Sequence, residues 1–310
     1  MKVIYDLGKD KLRLRNAVVA VGVFDGIHRG HQALIECAVR RARALKGQAV
    51  VMTFWPHPVC VLHPDVYLPM IVSLSYRLKL IAALNVDTAI VVKFTKAFSG
   101  LSPEKFIKDY LVKFLRPKEV FVGDDFRFGQ NRSGSLKYFK EEGRRFGFKV
   151  DIVHPVKGDD KKISSTLIRQ LIAGGKLKKA KELLGREVSI LGKVAKGDGR
   201  GRTLGFKTAN IYPDCEVIPP LGVYAVWATI SGKRWKAMAN VGRRPSFKSY
   251  EDGVVIEVHI FDFNQNIYGK EIVVEFLDHI RDEKAFSSRE NLVEQLHRDE
   301  VFVRALFAKK

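Results

Sequence analysis

Along the first half of the chain, uninterrupted apolar runs alternate with stretches of helical period. Residues 17–24, 48–54, 86–94, 119–122 and 148–153 read as strands. Between them, residues 32–46 put Leu34, Ile35, Ala38, Val39, Ala42 and Leu45 on one helical face, with Gly47 as the stop. Residues 73–84 place Leu74, Leu78, Ile81 and Leu84 in phase. Ser102-Pro103 supplies a cap and a first-turn proline for a helix whose apolar face is Phe106, Tyr110, Leu111 and Phe114. Residues 136–146 form one more helix. Apolar strands alternating with helices predict an α/β fold with a parallel sheet covered on both faces.

Two short helices follow, 165–173 and 177–184, separated by Gly174-Gly175. Beyond Gly185 the texture changes. Residues 188–194, 223–230, 234–241, 254–261 and 272–277 read as strands divided by Gly, Pro, Asn and Asp turns. That pattern predicts an antiparallel barrel or sandwich, closed by a final helix over 288–307. The boundary falls at Gly185, giving domains 1–184 and 185–310.

The 310 residues are 46% hydrophobic and 28% charged, which excludes disordered, collagenous and coiled-coil classes and fits two cores better than one. Cys37, Cys60 and Cys215 form no CxxC pair. Neither a disulfide framework nor a thiolate zinc site fits them, and a reducing, cytoplasmic setting does. The charged first sixteen residues leave no room for a signal-peptide apolar core. The longest stretch without a charged residue, 47–64, holds three prolines and two histidines and is no membrane span. The net charge of +20 is lopsided: residues 1–184 hold 34 Lys and Arg against 17 Asp and Glu, and residues 185–310 hold 20 against 17. The basic half therefore points to an anionic partner: nucleic acid, a membrane surface or phosphorylated small molecules.

The string Gly22-Val23-Phe24-Asp25-Gly26-Ile27-His28-Arg29-Gly30-His31 stands at a strand-to-helix junction, at the carboxyl end of the first strand read here. Open parallel sheets bind ligands there, and unpaired amides at a helix start attract phosphate. His28 and His31 can point the same way and stabilise charge developing on a polyphosphate. A zinc site is the other use of such a pair, but no third ligand stands near. Farther on, Gly197 to Asn210 packs four glycines and two arginines into a loop able to nest an anion, with Thr208 and Asn210 as hard oxygen ligands for magnesium. An exposed basic loop is the plainer reading. Glu257 is a lone carboxylate in the apolar run 254–261. It either faces solvent by strand alternation or points into a site as a base.

The ten-residue string resembles the HxGH signature of nucleotidylyltransferases, in its flavin-adenylating form. Three further strings support that branch: Thr53-Phe54-Trp55-Pro56-His57-Pro58, Val122-Gly123-Asp124-Asp125-Phe126-Arg127-Phe128-Gly129, and Ile163-Ser164-Ser165-Thr166-Leu167-Ile168-Arg169. The second half resembles the riboflavin kinase barrel. Its loop reads Gly-Phe-Pro-Thr-Ala-Asn in that family, and Lys207 stands here in place of the proline. Both halves together resemble the bacterial bifunctional riboflavin kinases/FMN adenylyltransferases.

The resemblance implies a Rossmann-like adenylyltransferase domain followed by an antiparallel β-barrel kinase domain with a terminal helix. It implies that His28 and His31 act in adenylyl transfer and Glu257 in phosphoryl transfer. Gly22, Phe24, Asp25, Gly26, Gly30, Ser164, Ser165, Thr166 and Arg169 would contact ATP in the first site. Phe54, Pro56, His57, Pro58, Asp125, Phe126, Arg127 and Phe128 would hold the flavin. In the kinase, Gly201, Arg202, Gly205, Thr208 and Asn210 would contact ATP, Thr208 and Asn210 would hold Mg²⁺, and Asn210, Arg281, Glu283 and Phe286 would face the flavin. ATP, riboflavin, FMN and FAD are the implied substrates and products, with no nucleic-acid or membrane partner. One rival reading is a nucleic-acid-binding protein that reuses the nucleotidylyltransferase fold. The basic half favours it, while the intact histidine motif and the lack of a nucleic-acid-reading signature count against it. A narrower rival is an adenylyltransferase whose kinase half is impaired.

Overall fold

The computed structural model describes residues 1–5, 14–154, 156–158, 161–195, 205–213, 216–243 and 253–309, with the side chains of 157, 158 and 161 left aside. Contacts divide the chain into two compact units: Met1–Leu68 with Leu74–Ser165, and Pro69–Ser73 with Thr166–Lys310.

The first unit holds strands β1 (Lys2–Ile4), β2 (Val18–Val21), β3 (Ala49–Trp55), β4 (Thr88–Lys93), β5 (Glu119–Gly123) and β6 (Lys149–Val153). They form one sheet in the order β1-β4-β3-β2-β5-β6, with every pair parallel. The string of residues 22–31 therefore follows the second strand; three residues near the start, too few to read from sequence, pair on the sheet edge before it. Pleating sends β2 residues to opposite faces. Val18 and Ala20 pack with Leu34, Ile35, Ala38 and Ala42 of helix α1 (Arg29–Ala44), and Val19 and Val21 with Phe106, Ile107 and Phe139. Arg41 pins α1 to the foot of β5 with two hydrogen bonds to Glu119, at 2.7 and 2.6 Å. The helix over 103–115 starts as expected, the Ser102 hydroxyl accepting from the Lys105 amide, but its middle turns, Phe106–Val112, are π-helical. Short helices at Pro58–Leu62 and Lys96–Ser99 and a hairpin of β7 (Lys157–Gly158) and β8 (Lys161–Lys162) escape the periodicity because each is only about one turn or one pair long.

The second unit carries helices Ser165–Ala173 and Leu177–Leu184, the latter packed on β9 (Val188–Ala195) and on a later strand, β14. That packing groups these helices with the barrel, whereas the sequence texture changes only at Gly185. The barrel is completed by β10 (Ala209–Ile211), β11 (Gly222–Ile230), β12 (Lys233–Arg243), β13 (Val254–Ile260) and β14 (Glu271–Arg281). It closes in the order β10-β13-β12-β11-β14-β9, antiparallel throughout. A barrel, not a sandwich, is the outcome. Ser288 caps the terminal helix Arg289–Ala308, whose Val303 and Phe307 pack with Phe206, Ala225, Met238, Phe261 and Leu277.

Candidate active sites

In the first unit the chain runs from β2 through β3 to β4 on one side of the sheet and from β5 to β6 on the other. The carboxyl ends of β2 and β5 therefore flank the topological switch point, where open sheets leave a crevice for ligands. The residue 22–31 string leaves β2 there, and the string following Val122 leaves β5. His28 is the N-cap of α1, its Nδ1 accepting from the His31 amide at 3.3 Å. This cap starts the helix three residues earlier than the apolar period indicates. The two imidazoles stack, centroids 3.6 Å apart and planes 18° apart. A Cβ on Gly30 would stand 3.2 Å from the His28 ring, so the glycine lets that ring lie against the first turn.

Asp25 is buried, and its Oδ1 lies 3.6 Å from Nη2 of the buried Arg77. Thr53 Oγ1 donates to the Val23 carbonyl at 2.7 Å, joining the loop after β2 to the end of β3. Ser165 donates its hydroxyl to the Asp25 carbonyl at 3.0 Å. Ser164 is half-buried and Thr166 exposed. Arg169 lies in the second unit, Nε donating to the Pro69 carbonyl at 2.8 Å.

The loops expected to hold flavin divide into core and surface. Phe54 is buried against Phe94 and Phe98, and Phe128 against Phe106 and Phe139. Phe126, half-buried, stacks on Phe128 at 5.4 Å. Pro56 and Arg127 are exposed, and the Trp55–Pro56 peptide is cis. His57 caps the short helix that starts at Pro58. Lys162 bridges Asp124 and Asp125 at 2.7 and 3.0 Å. Burial alone would lower its pKa, but the two carboxylates raise it.

The second unit has a cavity of about 980 Å³ on the barrel, lined by Thr208, Asn210, Glu257, Arg281, Glu283 and Phe286 together. Glu257 thus faces the cavity rather than open solvent. Asn210 is buried in β10, directly opposite Glu257 in β13. Arg281 is fixed by Asp299 of the terminal helix, through Nε at 2.9 Å and Nη2 at 2.7 Å, and its guanidinium lies 5.8 Å from the Phe286 ring centroid. A Cβ on Gly242 would stand 2.4 Å from Glu283 Oε1, so the glycine lets that carboxylate lie where it does. Gly205 is exposed, and Gly201 and Arg202 lie outside the described residues. Among the described residues no cluster of three His, Cys, Asp or Glu is arranged for a metal.

A family model described as FAD synthetase matches residues 10–167, and one described as riboflavin kinase matches residues 184–307. A bifunctional riboflavin kinase/FMN adenylyltransferase from Listeria monocytogenes is 40% identical over 316 residues, covering 100% of this chain and 99% of that protein. The chain belongs to the family of bifunctional riboflavin kinase/FMN adenylyltransferases. A protein of the same name from Escherichia coli K12 is 37% identical over 291 residues, covering 94% of this chain and 92% of its own. A solved structure named as a macrolide-efflux protein from Streptococcus pneumoniae has a TM-score of 0.83 at 37% identity, covering 97% of this chain and 98% of that one. Among the described residues no helix is long and apolar enough to cross a membrane.

Several residues around the two family sites escape sequence reasoning. Asn240 lines the cavity, opposite Glu257 on the β12 side. The sequence reads a strand over 234–241, whereas β12 runs on to Arg243. The run of Asn240, Gly242 and the following arginines is the signal that could have found it. His259 and Asn264 also line the cavity, and both bond Lys207. Asp299 carries no local signal, because its partner Arg281 is brought to it by the fold.

Proposed function

We propose that the chain makes FAD from riboflavin in two ATP-dependent steps, with the kinase in residues 185–310 and the adenylyltransferase in residues 1–184. The observation that carries the kinase reading is the convergence of Thr208, Asn210, Glu257, Arg281, Glu283 and Phe286 on one cavity. The riboflavin 5′-hydroxyl attacks the γ-phosphorus of ATP, Glu257 takes the hydroxyl proton, and ADP leaves with FMN formed. Arg281, held rigid by Asp299, and Phe286 present a cation and a ring to the flavin. Thr208 and Asn210 offer oxygen donors that suit Mg²⁺, a hard cation. Mg²⁺ bound there would neutralise phosphate charge. Gly201, Arg202 and Gly205 belong to the loop assigned to the ATP phosphates.

In the second step an oxygen of the FMN phosphate attacks the α-phosphorus of ATP, the bond to the β-phosphate breaks, and pyrophosphate leaves. The stacked His28 and His31, at a helix start, stabilise the charge that develops. Gly22, Phe24, Asp25, Gly26 and Gly30 shape the ATP loop, and Ser164, Ser165, Thr166 and Arg169 serve its phosphates. Pro56, His57, Pro58, Asp125, Phe126 and Arg127 form the accessible rim for FMN, backed by Phe54 and Phe128. Phosphorylated substrates, not nucleic acid or membrane, account for the basic first half, and the chain works in the cytoplasm. Incubating it with riboflavin, ATP and Mg²⁺ and separating the flavins by chromatography tests the reading. FMN should appear first and FAD after it; a chain that forms neither would overturn the assignment.

A further inference from the structure

The loop between β2 and α1 follows a course that needs support. Phe24 and Ile27 both adopt left-handed backbone angles, with φ of 55° and 40°. Residues with a Cβ stay in that region only where their surroundings over-determine it.

Thr53 and Ser165 hold this loop at the Val23 and Asp25 carbonyls, and a third support is Arg77, a residue of the helix Leu74–Ala83 that is wholly buried. Its Nη1 donates to the Val23 carbonyl at 3.0 Å and reaches the Phe54 carbonyl at 3.5 Å. Its Nη2 stands 3.6 Å from Asp25 Oδ1, and its guanidinium lies 5.7 Å from the centroid of the Trp55 ring. One planar group therefore touches the loop that leads to His28 at Val23 and Asp25, and the end of β3 at Phe54 and Trp55. Burying a charge in a sheet-packed helix is costly unless it is paired and hydrogen-bonded. An apolar residue there would pack as well, but it would leave the Thr53–Val23 hydrogen bond without the ties that Arg77 adds at Val23, Asp25 and Phe54.

We infer that Arg77 is a positioning residue for adenylyl transfer. It sets the loop that presents His28 and His31 against the loop after β3, and so fixes the spacing between the transferring phosphoryl group and the flavin phosphate. The inference rests on the proposed adenylyltransferase reading. Lysine cannot replace it, because a single ammonium cannot hold Val23, Phe54 and Asp25 with fixed fork geometry.

The test uses the full chain in two forms. Arg77→Lys keeps the positive charge beside Asp25. Arg77→Met combined with Asp25→Asn removes both charges, so neither is left buried alone. Riboflavin phosphorylation and adenylylation of added FMN are assayed separately, with rates expressed per folded molecule from thermal unfolding. In both forms FMN production should match wild type, while kcat for FAD formation should fall about 10²-fold, the scale of a 1 Å misplacement of catalytic groups. The KM for ATP should change far less than kcat, and Arg77→Lys should retain more activity than the double form. A kcat per folded molecule within about twofold of wild type in both forms would overturn the inference and leave Arg77 a purely structural residue. A wild-type chain that makes no FAD would instead remove the reading on which it rests.

Discussion

Asn210 and Glu257 stand directly opposite each other across the β10–β13 pair, and Asn240 stands opposite Glu257 on its other side. Directly opposed residues in an antiparallel pair share a face, with Cβ atoms about 4.5–5.5 Å apart. The closed register therefore places one carboxylate between two amides on the cavity wall. Such a group is held in position before substrate arrives, which is what proton acceptance from a bound hydroxyl requires.

Glu257→Gln keeps the size of that side chain and removes its basicity. Riboflavin kinase activity should fall by roughly 10²–10⁴-fold. Adenylylation of added FMN should stay at the wild-type rate, because that chemistry is assigned to the other unit. Riboflavin turnover near wild type would show that the carboxylate shapes the cavity without taking the proton.

His28 caps α1 and is assigned a second job in adenylyl transfer. Its Nδ1 accepts the His31 amide, so the neutral ring carries its proton on Nε2. His28→Ala together with His31→Ala should stop FAD formation and spare riboflavin phosphorylation; loss of FMN production in the folded double mutant would argue for one shared site. His28→Asn alone separates cap from catalyst. Asparagine is a good N-cap, so thermal stability should stay near wild type, while alanine should cost about 0.5–2 kcal/mol. FAD formation should fall about 10²–10³-fold in both, the scale of one lost transition-state donor. Full activity in His28→Asn would reduce the residue to a cap.

The strands and most helices were legible because their hydrophobic periods are clean, and the family because its motif strings are specific. What stayed hidden depends on contacts distant in sequence. Arg77 reads as a polar helix position, and nothing local says that its side chain is buried against the loop after β2 and the end of β3. Phe54 and Phe128 read as flavin faces, since an aromatic string looks the same whether its rings fill a core or line a site. β10 is three residues long and follows a glycine-rich loop, so only its pairing with β9 and β13 reveals it. The helices 165–184 read as part of the first half because packing, not composition, assigns them to the barrel.

Acid should loosen the first unit partly through Asp87. Its carboxylate accepts from Arg43 Nη1 at 2.7 Å and from the Ala49 amide at 2.7 Å, tying α1 and β3 to the start of β4. Burial alone would raise its pKa, but the Arg43 hydrogen bond, the Ala49 amide and the Arg43 charge together hold it below the usual carboxylate value of 3.8. A pKa lower in the folded state stabilises fully above the unfolded value, and that stabilisation is lost as pH falls below it. Asp87→Asn should lower Tm at pH 7 and flatten its decline below about pH 4. An acid slope identical to wild type would show that the pair contributes nothing.

Lys207 occupies the position where the family has proline, and the structure gives it two attachments. Its Nζ donates to Asn264 Oδ1 at 2.6 Å, and its carbonyl accepts from His259 Nδ1 at 2.9 Å. Both partners line the kinase cavity, so the lysine fastens the loop ahead of Thr208 by bonds rather than by a ring. Proline would fix φ near −65° and reduce the freedom of the unfolded loop, worth about 0.4–1 kcal/mol where the native backbone accepts it. It would keep the carbonyl bond to His259 and lose the bond to Asn264, a bond between exposed groups and therefore weak. The two changes oppose each other, and neither removes Thr208 or Asn210. Lys207→Pro should therefore change kcat/KM for riboflavin phosphorylation by no more than about fivefold, the rate equivalent of the larger entropic figure. Kinase kinetics on both forms at matched Mg²⁺ and ATP decide the matter. An inactive lysine form restored fully by proline would mean that this substitution disables the kinase half, and that the bonds to Asn264 and His259 hold the loop in the wrong place.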